Sequence, residues 1–266
     1  MLDELKVKPG TQARIADRDP ATTLGVDKKD GEKRLEHLVE QIDALQYRLY
    51  AENRRSVLLV LQGLDASGKD GVVRRVFEGV NPTGVSVTSF KAPVGAELEH
   101  DYLWRIHAAL PPRGVIGVFN RSHCEDVVAV RLHRIAPETV WSRRPGHIRE
   151  WERMLVDEGT ALVKVFLNVS KDEQRERMQE RIDDPSKRWK FRKDDLEVRR
   201  RFDEHLAAWE DVIGETSTEW APWHVVPADR NWVKSTAVAA LLVDALERLD
   251  PTFPDAEAGI EGLTVT

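Results

Sequence analysis

An apolar run followed directly by a glycine-rich loop constrains this chain more than any other feature of its sequence. The run is Val57-Leu-Leu-Val-Leu61, and the loop Gly63-Leu-Asp-Ala-Ser-Gly68-Lys69 begins after one further residue. A short continuous apolar run is typical of a central strand in a parallel sheet covered on both faces. The loop matches G-x-x-x-x-G-K, in which backbone N–H groups and a lysine bind phosphate oxygens. The sequence therefore predicts a phosphate-binding loop after a buried strand.

The residues after this loop support the same interpretation. Val72, Val73, Val76 and Phe77 are spaced as on one face of a helix, and the N-terminus of such a helix attracts anions. This context favours a phosphate loop over an ordinary glycine turn. The motif departs from the usual pattern at Asp70, where P-loops carry the Ser or Thr that binds Mg²⁺. A metal ion must therefore be held by other groups.

Two carboxylates of the loop each have two interpretations. Asp65 is the predicted metal ligand, because Mg²⁺ binds one or two carboxylates together with water and phosphate oxygens. The alternative is a turn residue that accepts a hydrogen bond from its own backbone. For Asp70 the favoured interpretation is an acid that stabilises the N-terminus of the next helix. We expect Mg²⁺ as the cofactor, with Mn²⁺ as its substitute.

Further apolar segments alternate with helical patterns and predict an α/β fold. The other predicted strands are residues 85–90, 115–119, 162–167 and 224–226, and the predicted helices are residues 32–49, 97–110, 146–158, 171–182, 194–213 and 235–249. Strands that alternate with helices favour a central parallel sheet with helices on both faces, which is a three-layer sandwich. Residues 1–30 lack apolar periodicity and predict an extended or loosely docked arm.

A polar cluster follows the predicted strand that ends at Phe119. It consists of Asn120, Arg121, Ser122, His123, Cys124, Glu125 and Asp126. An arginine at the carboxyl end of a strand can neutralise charge on a transferring phosphoryl group, and a carboxylate can position a metal-bound water or an acceptor. Ser122 is equally well interpreted as a helix N-cap, with Glu125 completing a capping box. We expect structural roles for His123 and Cys124, because sequence neighbours seldom form a nucleophile–base pair.

Cations gather in the segment Asp184-Pro-Ser-Lys-Arg-Trp-Lys-Phe-Arg-Lys193. Elsewhere between residues 171 and 201, acidic and basic residues alternate as on a solvent-exposed helix. The proline predicts a break in the helix, after which a cationic flap could close on phosphates and exclude water. Trp189 within this flap is predicted to be a packing anchor.

Composition argues against several classes of protein. The net charge of −6 argues against a general nucleic-acid-binding protein. No apolar run approaches the roughly 18 residues of a membrane-spanning helix, and the N-terminus lacks the apolar stretch of a secretory signal. Cys124 is the only cysteine, which favours a reducing compartment. We therefore expect a cytoplasmic protein without nucleic-acid or membrane partners.

Several ordered motifs resemble those of the second polyphosphate kinase family, most closely its branch that phosphorylates both nucleoside monophosphates and diphosphates. These motifs are QGLDASGKDG at 62–71, NPTGV at 81–85, SFKAP at 89–93, LEHDYLWR at 98–105, FNRSHCEDV at 119–127, DPSKRWKF at 184–191 and APWHVVPADRNW at 221–232. The resemblance implies a P-loop kinase-like fold with a helical basic lid at about residues 175–200. It implies one phosphotransferase domain over residues 31–252, with residues 253–266 as a tail.

The resemblance also implies an activity: phosphoryl transfer between inorganic polyphosphate and adenine or guanine nucleotides, from AMP to ADP and from ADP to ATP, in either direction. It implies a catalytic set of Asp65, Lys69, Arg121 and Glu125. The implied phosphate and polyphosphate ligands are Gly63, Ala66, Ser67, Gly68, Lys69, Asp70, Arg177, Arg181, Lys187 and Lys190. The implied nucleotide-binding residues are Lys91, Pro93, Asn120 and Asp195, and the implied metal ligands are Asp65 and Asn120. We expect a homo-oligomer, for which the apolar stripe from Leu35 to Leu49 could serve as an interface or as core.

Two residues depart from the family pattern. Other branches carry Asp where this chain has Asn120, and the family usually carries Tyr where this chain has Cys124. Two rival functions therefore stay open at this point: a kinase with ATP as donor, which would share the loop, the sheet and the basic lid, and a polyphosphate-binding module without turnover.

Overall fold

The predicted apolar runs form the strands of one parallel sheet in the computed structural model, which describes residues 2–265. The strands are β1 Ser56–Gln62, β2 Val85–Ser89, β3 Ile116–Asn120, β4 Thr160–Asn168 and β5 Trp223–Pro227, in the spatial order β2-β3-β1-β4-β5. Each neighbouring pair is parallel. Every residue of β1 is buried, as its continuous apolar sequence predicts for a central strand. The five predicted strands are therefore confirmed to within two residues at each end.

Helices cover both faces of this sheet. They are α1 Leu2–Leu5, α2 Lys28–Glu52, α3 Lys69–Val76, α4 Trp104–Ala108, α5 Glu125–Leu132, α6 Glu138–Trp141, α7 Arg144–Asp157, α8 Lys171–Asp183, α9 Asp194–Arg200, α10 Phe202–Thr216 and α11 Asn231–Leu249. α2 and α3 pack on α11, which contacts β1, β4 and β5, whereas α5 and α7 pack on α10 and α7 contacts β4. The predicted three-layer sandwich is therefore confirmed.

Two predicted helices are interrupted. Residues 97–110 form only a 3₁₀ turn at Gly95–Leu98 and the short α4, because the Asp101 carboxylate accepts a hydrogen bond from the Leu103 N–H at 2.9 Å and so favours a local turn. The prediction of one helix over residues 194–213 is also wrong, since α9 ends at Arg200 and α10 begins at Phe202.

The N-terminal segment is more firmly attached than its sequence predicts. Leu5, Val7 and Ile15 are buried in the core, and the Val7 N–H donates to the Trp223 carbonyl at 2.8 Å, next to β5. The prediction of a loosely docked arm is therefore wrong. These apolar residues are too widely spaced to show a helical or strand period, which is why the pattern did not reveal them.

The apolar stripe of α2 serves the core of its own chain. Leu35, Leu38, Ile42 and Leu49 are buried, and α2 packs on α11. Of its two predicted uses, packing is confirmed, and the stripe is not available to a second copy. None of the helices within residues 2–265 combines the length and apolarity that a bilayer crossing requires.

Candidate active site

The phosphate loop connects β1 to α3 at the carboxyl edge of the sheet. The predicted phosphate ligands Gly63, Ala66, Ser67 and Gly68 lie together in this loop. At Gly63, where φ is +147°, a Cβ atom would lie 2.8 Å from the Leu167 carbonyl oxygen. The loop thus passes β4 too closely for any side chain at this position. This close passage leads the chain into the first turn of α3, whose free N–H groups can bind an anion.

Lys69 begins α3 and is almost fully buried under the loop. Its ammonium donates to the carbonyl oxygens of Gly63 at 2.7 Å and Leu64 at 3.3 Å. Burial, and next the neighbouring Arg121, lower the pKa of Lys69 to about 8. A bound phosphate would counter both effects by adding negative charge beside the ammonium. A phosphate ligand would thus add to the stabilisation that Asp65, Glu125 and Asp70 already give this ammonium.

Arg121 reaches the phosphate loop from the adjacent strand β3. The register pairs Leu61 with Asn120, and the Arg121 N–H donates to the Leu61 carbonyl at 3.0 Å. Arg121 adopts a left-handed backbone conformation with φ of +64°, which turns the chain sharply at the end of β3. Its guanidinium donates to the Asp65 carboxylate in a close ion pair and lies 3.8 Å from Glu125. The strand register thus brings the two predicted polar loops together.

The two carboxylates beside Arg121 have pKa values shifted in opposite directions. Burial raises the pKa of Asp65, but Arg121, Lys69 and Arg181 together hold it below its usual value. Burial raises the pKa of Glu125, and Arg121 and Lys69 only partly oppose this. Groups with such shifts concentrate in functional sites. We call Asp65, Lys69, Arg121 and Glu125 the site cluster.

Asp70 links the phosphate loop to two other segments. Its carboxylate accepts a hydrogen bond from the Asn120 side-chain amide at 2.6 Å and lies 3.9 Å from the ammonium of Lys190. An acid in the first turn of α3 fits the favoured sequence interpretation. The contacts add a role that sequence did not indicate, since Asp70 holds cationic and amide groups near the loop. The Asp70 carboxylate therefore lies beside the phosphate loop, and its role as a phosphate ligand stays a prediction.

The cationic flap lies over this edge with only part of its charge directed at the loop. Lys190 approaches Asp70 as described, whereas Lys187 pairs with Asp184 of its own segment at 3.1 Å. Trp189 is 77% exposed, so the prediction of a packing anchor is wrong. Burial raises the pKa of Asp195, with Asp65 adding to the effect and Arg181 and Arg121 opposing it. Asp195 and Arg181 are therefore close enough to act electrostatically on the site cluster.

Arg177 occupies a different position from the one its predicted role requires. Its guanidinium donates to Glu173 at 2.8 Å, to the Ala66 and Ser67 carbonyls at 3.1 Å each, and to the Ala228 and Asp229 carbonyls at 2.8 and 2.7 Å. These five hydrogen bonds use all five N–H donors of the guanidinium group. Arg177 therefore contacts the back of the phosphate loop, which contradicts the prediction that it offers free donors to polyphosphate.

The predicted nucleotide-binding residues Lys91 and Pro93 follow β2, separated from β1 by the intervening β3. The Lys91 side chain is exposed, and its carbonyl accepts a hydrogen bond from Arg105 at 2.7 Å. Arg105 also pairs with Asp126 at 3.3 Å, so this segment is tied to the helix that follows Arg121. Lys91 and Pro93 therefore lie at the same edge of the sheet as the site cluster, one strand beyond β3.

A buried charge network lies directly behind Arg121. We use this name for Ser122, His123, Glu152 and Lys164, which are all buried. The Glu152 carboxylate bonds Lys164 at 2.5 Å and His123 at 3.2 Å, and the Ser122 hydroxyl bonds His123 at 2.8 Å. The alternative of Ser122 as a helix N-cap is therefore wrong, because its hydroxyl is used by His123 and α5 begins only at Glu125.

Sequence reasoning missed this network, although one signal was present. Lys164 interrupts the apolar run of β4, and a charged residue in a buried strand needs a buried partner of opposite charge. The same signal marks Lys234, a lone charge in the apolar first half of α11 that donates to the Ser67 carbonyl at 3.0 Å. Nothing in the sequence identifies the distant partners, because each contact joins segments far apart along the chain.

The predicted metal ligands are suited to magnesium. The Asp65 carboxylate is partly exposed, and the Asn120 amide nitrogen faces Asp70, which leaves the Asn120 side-chain oxygen as an available ligand. Within residues 2–265 there is no group of three or more His, Cys, Asp or Glu side chains that could hold a metal ion. A magnesium ion here would therefore complete its oxygen ligands with water and substrate phosphates, which is its usual mode of binding.

Comparison with known proteins identifies a family whose members resemble this chain. A sequence model of the polyphosphate kinase 2 family matches residues 25–254. The chain is 47% identical to an AMP/ADP-polyphosphate phosphotransferase of Meiothermus ruber, across 99% of this chain and 100% of that relative. It is 45% identical to an ADP-polyphosphate phosphotransferase of Rhodopseudomonas palustris, across 82% and 79%. A crystal structure of polyphosphate kinase 2 from Arthrobacter aurescens matches with a TM-score of 0.92 and 41% identity, across 97% and 93% of the two chains.

Proposed function

The chain belongs to the polyphosphate kinase 2 family, and we propose that it transfers a phosphoryl group between inorganic polyphosphate and nucleotides. The family membership confirms the resemblance noted in the sequence motifs. The observation that carries the proposal is that Arg121, which follows β3, and Lys190 of the flap both approach the phosphate loop that ends at Lys69. Such a set of cations can hold the charge of a long polyanion and of an acceptor nucleotide at once.

The chemistry is a direct in-line transfer without a covalent enzyme intermediate. A terminal phosphoanhydride bond of polyphosphate breaks, and a new phosphoanhydride bond forms to the terminal phosphate oxygen of AMP or ADP. Polyphosphate becomes one unit shorter, and the nucleotide gains that unit. Lys69 and Arg121 neutralise charge on the moving group, while Asp65 and Glu125 fix the Arg121 guanidinium. The reverse reaction uses the same positions.

A divalent cation supports this reaction through residues already at the site. Asp65 and the Asn120 side-chain oxygen would hold Mg²⁺, or Mn²⁺ in its place, which when bound withdraws charge from phosphate oxygens. Closure of the lid would exclude water from the reaction. Lys190 and Arg181 would bind the polyphosphate donor, and Asp195 would lie near the nucleotide. Lys91 and Pro93 would border the nucleotide.

A donor assay tests the proposal. Purified protein receives AMP or ADP, polyphosphate and Mg²⁺, with no other nucleoside triphosphate, and products are separated by ion-exchange chromatography. ADP and ATP should form, EDTA should stop the reaction, and excess Mn²⁺ should restore it. A Lys69→Met variant should retain the fold and lose turnover. Transfer only with ATP as donor would favour an ordinary kinase, and polyphosphate binding without transfer would favour a binding module. Either result would overturn the proposal.

We propose four further features of this protein. Guanine nucleotides would also serve as acceptors, which the same assay with GMP and GDP measures. Residues 31–252 would form the catalytic domain in a homo-oligomer within the cytoplasm. Light scattering on purified protein gives the oligomeric state, and a monomeric mass at micromolar concentration would contradict it.

A further inference from the structure

Two cations approach the phosphate loop on the side to which its Ala66 and Ser67 carbonyl oxygens point. Lys234 of α11 donates to the Ser67 carbonyl oxygen at 3.0 Å, and Arg177 of α8 donates to the same oxygen at 3.1 Å. Arg177 also donates to the preceding carbonyl, that of Ala66, at 3.1 Å. One peptide group of the loop is thus fixed by two charged donors from two different helices.

This arrangement sets the direction of one loop N–H group. Within residues 2–265 all peptide bonds are trans, so the Ser67 carbonyl and the Gly68 N–H of the same peptide unit point in opposite directions. Holding the carbonyl on the rear side therefore directs the Gly68 N–H to the front, where phosphate is expected. Cationic donors on the carbonyl also polarise the peptide and make its N–H a stronger donor.

The glycine at position 68 leaves room for the same contact. A Cβ atom on Gly68 would lie 2.1 Å from the Lys234 ammonium nitrogen and 2.9 Å from its Cε. The backbone of the loop therefore rests directly on the Lys234 side chain. Gly68 also has φ of +96°, which side chains rarely tolerate. The second glycine of the motif thus fits both a backbone conformation and an ammonium group behind it.

The buried position of Lys234 is unfavourable for a charged side chain. It is 1% exposed, and the carboxylates of Glu173 and Asp229 only partly oppose the effect of burial on its ammonium. Burial, and next the charge of Arg177, lower its pKa to about 7. Replacing buried ionic groups by apolar groups of similar volume is often neutral or stabilising. A buried, poorly compensated cation is therefore more readily explained by the loop it contacts than by stability.

We propose that Lys234 and Arg177 are positioning residues, which hold the Ser67 peptide from behind so that the Gly68 N–H faces the phosphate of the substrate. The inference rests on the proposed function only for the identity of that substrate as polyphosphate. Neither side chain touches the transferring group. They act through the backbone, as outer hydrogen-bond partners act through the ligands of a metal.

The decisive experiment compares Lys234→Met with Arg248→Met, which removes an exposed cation from the far end of the same helix. Tripolyphosphate binding is measured by calorimetry at a temperature where both variants are folded, and melting temperatures are measured in parallel. Lys234→Met should weaken tripolyphosphate binding and lower kcat/KM for polyphosphate by about 10- to 100-fold, by analogy with outer-shell partners of metals. Its melting temperature at pH 6.5 should equal or exceed that of the wild type, and Arg248→Met should match the wild type in binding and rate.

A conservative replacement separates positioning from packing. Lys234→Gln keeps a hydrogen-bond donor for the Ser67 carbonyl and should retain more tripolyphosphate affinity than Lys234→Met. Equal affinity and equal kcat/KM in the wild type and both Lys234 variants would overturn the inference. If Lys234→Met does not fold, Lys234→Gln should still bind tripolyphosphate more weakly than the wild type, because its donor is uncharged and one atom shorter, and equal binding and equal kcat/KM would overturn the inference.

The outcomes also separate this inference from the proposed function. A wild type that binds tripolyphosphate but transfers no phosphoryl group would overturn the proposed function, while the ranking of binding constants would still test the positioning of the loop. A wild type that neither binds tripolyphosphate nor transfers would overturn both.

Discussion

The site cluster and the buried charge network both include residues from the segment 121–125, but they differ in how far their charges are paired and buried. Arg121 and Glu125 project towards the phosphate loop, whereas Ser122 and His123, which lie between them in sequence, project into the protein. In the network, both Glu152 oxygens are paired and every member is buried. In the site cluster, partly exposed carboxylates surround Arg121, and Lys69 has only carbonyl partners. Charged groups that are fully paired within the protein stabilise the fold, whereas charged groups that are only partly paired remain able to bind a ligand.

The comparison first predicts a large loss of turnover when the site cluster loses Arg121. Arg121→Met should lower kcat by about 10³-fold or more, because arginines that neutralise a transferring phosphoryl group contribute on the order of 10³–10⁵ in related chemistry. The melting temperature should change little, since this guanidinium is 39% exposed.

Steady-state kinetics beside thermal melts checks this prediction. Arg131→Met is the matched control, because Arg131 is a nearby arginine on α5 that pairs with Asp211 on the surface. A drop in stability with kcat preserved would place Arg121 with the scaffold instead of the chemistry.

The network should show the reverse pattern. Glu152→Gln leaves the buried Lys164 ammonium without its carboxylate and should lower the free energy of unfolding by about 3–5 kcal/mol. Chemical denaturation with urea measures this loss. Asp157→Asn, which breaks an exposed pair with Arg153 on the same helix, should cost less than about 0.5 kcal/mol. Equal costs for the two substitutions would remove the distinction between network and surface.

The pH dependence sharpens the contrast because Lys69 has a pKa of about 8. Below pH 8 its ammonium can bind phosphate; above it kcat/KM for polyphosphate should fall by about tenfold per pH unit. The sign for stability is opposite. The unfolded state keeps this proton up to about pH 10.5, so the free energy of unfolding rises with pH between 8 and 10.5 through this residue.

Rate profiles for the wild type and Lys69→Arg test the assignment. The fall above pH 8 should be absent in Lys69→Arg, because a guanidinium stays charged over this range. An identical fall in both proteins would assign the titration to another group.

The smallest expected effect separates two lysines of the flap. Lys190 faces Asp70 at the loop, whereas Lys187 pairs with Asp184 of its own segment. Lys190→Ala should raise KM for polyphosphate about 5-fold, equivalent to about 1 kcal/mol, as for an exposed ionic contact. Lys187→Ala should have a smaller effect. Titration of polyphosphate at saturating ADP measures both, and a larger effect at Lys187 would show that the flap closes differently on its substrate.

The sheet could be predicted because its signal is local. Each strand is a short apolar run that reads directly from neighbouring residues, so the five strands and their α/β arrangement followed. The helix break at Asp101 comes from a local turn, in which the Leu103 N–H donates to the Asp101 carboxylate. The break at Arg201 was not predictable in the same way. Arg201 carries no glycine or proline signal, and its guanidinium donates to the Leu132 carbonyl, 69 residues away. Such long-range contacts leave no periodic pattern in sequence.

The site divides along the same line. The glycines, Lys69 and Arg121 stand in contiguous motifs, and their placement followed from strands that end at one edge. Arg177 was predicted to face polyphosphate, and it lies behind the loop because carbonyls of Ala66 and Ala228 accept from it. A basic residue in a mixed-charge helix gives no indication of which side of a loop it contacts. Only the three-dimensional structure shows on which side of the loop Arg177 lies.

The strand order has a consequence for synthesis of the chain. β1 pairs with β3 and with β4, so Ser56 finds its partner Thr160 only after more than one hundred further residues have been translated. The contact between Lys234 and the loop forms later still. Pairings of such long range fold slowly and leave apolar strands exposed in the interval. A nascent or prematurely terminated chain would therefore carry the whole glycine motif before the contacts that position it can form.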